Sequence, residues 1–219
     1  MNEPSIATDY VEEARKKMAA LGTGWPTISR EPYISIPFFG EIIKETRNIN
    51  GEPHDYWNVI RHFGWSVTFG ITNGSEEVLT LIQWKPGVNR GSWELPPGGI
   101  GKIAEDASLE TILQKTKDVY LRETGYGGNS WSYLGHIMIE TGKYRGASSD
   151  SNGLRAHMWL AENLVNQSTT SHADNELIKV FPLPIRDFRK VLESGLFVEE
   201  SAVACAYKAL LKTGHLAWK

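Results

Sequence analysis

One segment constrains this chain more than any other: a lone amphipathic stretch, residues 105–123, set between two regions of strand texture. Leu109, Ile112, Leu113, Thr116 and Tyr120 recur at helical spacing and form one mainly apolar face. The stretch is entered from WELPPGGIGK, residues 93–102, where two prolines and three glycines end a strand-like run, and it closes on LRETGY, residues 121–126. A helix of this kind has to lay its apolar face on a neighbouring layer. With strands before and after it, that layer is a sheet.

The rest of the chain agrees with a layered α+β domain rather than an alternating parallel sheet. Thr8 or Asp9 is placed to cap a helix through YVEEARKKMAAL, with Gly22 as its stop. GWPTISREP reads as irregular. FFGEIIKETR, DYWNVIRHF, WSVTFGIT and EVLTLIQW are strand candidates, with turns at NINGEP and TNGSEE. After the central helix come strands at SYLGHIMIE, AHMWLAENL and ELIKVFPL, then two helices ending at Gly195 and Gly214. The expected organisation is an N-terminal helical extension (1–30), a pair of N-terminal strands (31–60) and a main domain (61–219).

Composition excludes several classes. Hydrophobic residues make up 41% and charged ones 22%, the balance of a chain that buries a core. A net charge of -3 and the lack of any Lys/Arg cluster leave no footprint for nucleic acid. The single cysteine, Cys205, excludes an intramolecular disulfide framework and a multi-cysteine zinc site, and its AVACAYKALL setting predicts a buried apolar role. No apolar run approaches the length that spans a bilayer, so the expectation is a cytoplasmic protein with no membrane partner.

The motifs together resemble the ADP-ribose pyrophosphatase branch of the Nudix hydrolase superfamily. EVLTLIQWKPGVNRGSWELPPGGI is similar to that family's strand, substrate-side loop and glycine entry; LRETGY is similar to the exit of its box. YLGHIMIE, LRAHMWLAENL and the C-terminal strand and helix pair follow in the family's order, from about residue 60 to 213. The resemblance implies a Nudix α/β/α sandwich, with residues 36–60 similar to strands through which that branch builds a homodimer. It also implies a small phosphate-containing ligand such as ADP-ribose or a sugar nucleotide, and Mg²⁺ or Mn²⁺ held by helix carboxylates that prepare water to attack a diphosphate.

The family box runs G-x5-E-x7-R-E-U-x-E-E-x-G-U, with U a bulky aliphatic residue. Counted back from Gly125, its first glutamate falls on Glu110, its Arg-Glu pair on Asp118 and Val119, its aliphatic position on Tyr120, and its paired glutamates on Arg122 and Glu123. Gly98 stands six residues too early, which places an insertion in IAEDAS. Of the three ligand carboxylates only Glu123 remains. Val119, one turn earlier on the same face, is an isopropyl group where the family has a second acid. Glu123 with the Pro97 carbonyl is the metal set the resemblance leaves, and Glu105 or Asp106 of the insertion are the replacement candidates. Asp118 and Arg122 are spaced as an i,i+4 ion pair; alternatively Arg122 grips a phosphate without metal.

Other site candidates follow from the same comparison. Lys85 stands where the family often has an arginine facing the diphosphate. Arg90, Trp84 and Trp93 flank that loop as substrate contacts, against a packing role for the tryptophans. In TGKYRGASSDSNG the family commonly positions a glutamate as base; Asp150 is the nearest acid here and the catalytic candidate beside Glu123, and Glu140 opens the loop. His136 and His157 lie in strand patterns and read as structural histidines. Three functions stay open: a divergent enzyme with weakened or lost metal-dependent hydrolysis and a reused pocket, a non-catalytic nucleotide or small-molecule binding protein, and an active Mg²⁺-dependent pyrophosphatase with ligands from the insertion.

Overall fold

The computed structural model describes residues 6–20, 26–37, 40–61, 63–74, 76–85, 89–101, 107–139, 144–145, 154–167, 178–197 and 199–217. The chain divides into two compact units, 1–35 with 41–58, and 36–40 with 59–219.

The first unit carries α1 (Ile6–Ala20) and the strands β1 (Thr27–Ile36), β2 (Gly40–Ile49) and β3 (Glu52–Arg61) in the order β1-β2-β3. β2 and β3 join through Asn50 and Gly51, both left-handed at φ 55 and 94, the pair a tight hairpin demands. β1 corrects the irregular reading of GWPTISREP. It is an edge strand, the place in a sheet where a proline such as Pro32 is tolerated, and nearly all of its residues are exposed, so no alternation marks it. α1 begins at Ile6, before the expected caps. At the centre of this unit lies a fully buried acid: Arg30 and Asn58 each donate to the Glu45 carboxylate at 2.8 Å and Arg47 at 3.1 Å. One carboxylate thus ties three strands together, its charge matched by guanidinium groups.

The second unit is a mixed sheet between helices. Its strands are β4 (Trp65–Thr72), β5 (Glu77–Lys85), β6 (Arg90–Glu94), β7 (Pro97–Gly99), β8 (Tyr126–Gly127), β9 (Ser130–Ile139), β11 (Leu154–Asn166) and β12 (Ile178–Pro184), while β10 (Tyr144–Arg145) pairs in parallel with Val59 and Ile60 at the end of β3. The order is β12-β5-β4-β11-β8, with β6 on β5, β7 on β4 and β9 on β11; β4 and β11 are parallel. Alternation along β4 and β11 assigns the faces. Val67, Phe69, Met158 and Leu160 pack with Phe188 of α3 (Phe188–Glu193) and with Cys205 and Ala206 of α4 (Glu200–Lys212). Trp159 and Ala161 point the other way, into clusters with Ile112, Val119 and Tyr120 of α2 (Leu109–Thr124). Each fully buried large side chain contributes about 2 kcal/mol. Cys205 is fully buried, as its setting predicts, and burial pushes its thiol up to about 12.

Candidate functional site

The central helix is fixed at both ends by its own sequence. Ser108 caps it, accepting from Thr111 N at 3.2 Å, and Gly125 ends it at φ 77 with its N–H on the Leu121 carbonyl. The start at Leu109 is later than the periodicity suggests, and 102–106 lie outside the described residues.

Val119 decides what stands against the glycine turn. Its isopropyl group packs so closely on Gly98 that a Cβ there would lie 2.2 Å from Val119 Cγ1. It shares a buried cluster with Ile100, Ile112 and Trp159. Position 119, where the resemblance implies a second carboxylate, is therefore part of the hydrocarbon layer. Glu123, one turn on, is nearly buried, and Arg122 holds it: Nη2 donates at 2.7 Å and Nε at 3.2 Å to the same oxygen. The expected Asp118–Arg122 pair is not the one formed. Asp118 accepts from Gln114 at 2.9 Å, and Arg122 turns to its neighbour.

The β5–β6 hairpin separates the remaining candidates onto two faces. Lys85 pairs with Arg90 in the ladder and Leu81 with Glu94, on the α2 side of the sheet. Glu94 is fully buried, and Lys85 Nζ lies 3.0 Å from its Oε1. Burial raises the Glu94 pKa and Lys85 opposes that rise. Arg90 is exposed beside them. Trp84 and Trp93 point to the opposite side. Trp93 donates Nε1 to Thr80 Oγ1 at 2.8 Å, Thr80 Oγ1 in turn donates to the Phe181 carbonyl, and the Trp93 ring meets Phe181 edge-on at 5.4 Å. Trp84 is 47% exposed. The two tryptophans and the two cations do not line one wall. Pro97 is buried in β7 opposite Val67. Asp150, Glu140, Glu105 and Asp106 lie outside the described residues.

Tested against a divalent cation, this donor set is poor. A bridged Mg²⁺ or Mn²⁺ pair needs several carboxylate oxygens; of the two helix positions that the resemblance assigns to ligands on this face, Glu123 is paired with Arg122 and Val119 is an isopropyl group. Among the described residues no group of three or more His, Cys, Asp or Glu could hold a metal ion. The described residues do not fit a metal cluster, and what they offer instead is a guanidinium at a helix end.

The histidines are where sequence reasoning stops short. His136 of β9 and His157 of β11 face each other across the ladder, and Tyr133 Oη lies 3.3 Å and 3.1 Å from their Nδ1 atoms. Burial lowers the His157 pKa to about 4, and burial also lowers that of His136.

The alternation of buried faces, the single helix on one side and the helix pair on the other define a Nudix-like α/β/α sandwich. A solved crystal structure of an ADP compounds hydrolase matches this chain with a TM-score of 0.68 at 14% identity, over 88% of this chain and 97% of that one. At that identity the likeness establishes the fold alone. No protein-family model matches the sequence, and no curated protein matches it. No helix among the described residues is long and apolar enough to cross a membrane.

Proposed function

We propose that this chain is a divergent Nudix-type protein that binds a nucleoside-diphosphate compound of the ADP-ribose kind, with metal-dependent hydrolysis weakened or lost and the pocket reused for other chemistry. The observation that carries this reading is the exchange at the box: Val119 packed on Gly98 and Glu123 closed by Arg122. The likeness to an ADP compounds hydrolase supports the ligand class. In this reading Arg122 leaves Glu123 and grips a phosphate with two N–H groups, which needs no cation. Arg90, on the same side of the sheet as α2, adds positive charge toward the ligand, and Lys85 beside it is positioned by Glu94 to donate a hydrogen bond.

Calorimetry of ADP-ribose in excess EDTA tests the reading, with binding expected and Arg122→Ala weakening it by about tenfold or more. Binding that needs Mg²⁺ or Mn²⁺, or that Arg122→Ala leaves unchanged, would overturn it. Efficient ADP-ribose hydrolysis with Mn²⁺, abolished by Glu123→Gln, would establish the ordinary pyrophosphatase with ligands from the insertion. Binding without turnover of any substrate would favour the non-catalytic protein. Self-association through residues 31–60 belongs to the same proposal. Tyr33 and Trp57 meet edge-on at 4.8 Å and are 70% and 50% exposed, an aromatic surface of the kind interfaces favour. Light scattering should report a dimer, and Trp57→Lys should yield a monomer.

A further inference from the structure

In a regular strand Tyr133 and His136, three residues apart, would point to opposite faces. They share one because β9 carries a bulge: the register on β11 shifts between Met158 and Trp159, leaving Leu134 as the extra residue beside Gly135 at φ 95. The bulge brings His136 over His157, their ring centres 6.0 Å apart, with the Tyr133 hydroxyl between the two Nδ1 atoms. A phenol has one hydrogen to give. It donates to one imidazole, and the other donates its Nδ1–H to the phenol oxygen, so the pair holds two different tautomers in one chain of hydrogen bonds.

The charge around this chain has one sign. Arg155 precedes His157 by two residues on the same face of β11, and among the described residues no carboxylate pairs with it. Lys208 of α4 reaches round the edge strand to donate to the Leu134 carbonyl at 3.0 Å, at the bulge. After burial, the groups that depress the His136 pKa are Arg155 and Lys208; for His157 they are His136 and Arg155; and Arg155 also acts on Tyr133. Among the described residues no acid offsets them. Two imidazoles, a phenol and a guanidinium with no carboxylate partner among the described residues share a partly open sheet face, and an anion would complete the set.

We propose that Tyr133, His136, His157 and Arg155 form a binding site for a phosphoryl group. Arg155 supplies the fixed charge, and the imidazoles take up a proton as the anion arrives. The Trp159 ring, 4.9 Å from Tyr133, packs with Val119 of α2, so this site and the box helix share one side of the sheet. The inference does not rest on the metal-free box, because its readout is the histidines themselves.

Side-chain NMR titration of the full chain tests it, with and without inorganic phosphate and, separately, ADP. His136 and His157 should both titrate at higher pH with the anion present, while the other four of the six histidines serve as references. Arg155→Met should weaken phosphate about tenfold, whereas Arg186→Ala, an exposed cation outside both sites, should leave it unchanged. A response to both anions marks a site for any phosphoryl group, and a response to ADP alone marks a subsite for nucleotide-borne phosphate. If neither moves these two histidines, or if Arg155→Met binds as the parent does, the cluster is structural only and the proposal fails. Should Arg155→Met not fold, His136→Asn serves, and it should weaken phosphate while His157 still responds.

Discussion

Tyr120 shows how a single atom can be out of place in a well-packed layer. Its ring is buried against Trp131, while its hydroxyl, without a partner among the described residues, abuts Gly70. Tyr120→Phe should therefore stabilise the chain by about 1 kcal/mol in urea unfolding, since it removes an unsatisfied polar group and keeps the ring. Glu94 is the charged counterpart. A carboxyl whose pKa rises on folding favours the folded chain below its ordinary value of 4.5 and gives that stability up as pH climbs through the raised value. Glu94→Gln should flatten this slope between the acid range and neutrality. Lys85→Met should steepen it and cost about 3 kcal/mol at pH 7, because a buried charge then stands alone. Neither effect was visible in the sequence, where Lys85 reads as a ligand contact and Glu94 as one letter of a strand.

At the scale of elements, legibility followed burial. WSVTFGIT was read as a strand and forms β4 over the same residues, because a strand buried on both faces leaves a dense β-branched and aromatic run. The central helix was legible for the same reason: Ile112, Thr116 and Tyr120 of its expected face are buried, and only Leu109 at its start is exposed, at 49%. β1 was lost because an exposed edge imposes no pattern, and β7 was hidden among the prolines and glycines that end the strand-like run before it. The Tyr133–His136–His157 cluster was illegible on stronger grounds: a bulge inverts the parity on which strand reading depends. Arg122 was assigned to Asp118 by helical spacing, and a neighbour one residue away took it instead. The interlock of α2 with the glycine turn yields a double-mutant test. Gly98→Ala should destabilise by more than 1 kcal/mol, and Val119→Ala in the same chain should recover part of that loss, so the two changes are less than additive.

At the scale of the molecule, the two units rest on different physics. The second is held by hydrocarbon on both sides of its sheet, the first by an ionic knot around Glu45. Glu45→Ala leaves two guanidinium groups without their shared acid and should cost about 3 kcal/mol, read as loss of the first unit's ordered strands in circular dichroism and hydrogen exchange. The fit of Val119 to the glycine turn has a consequence of its own. An acid installed at that position would carry a naked charge into an oily layer, and folding there would then wait on a cation from the medium. With valine in place, the joint between helix and turn is made of contacts that no chelator can strip away.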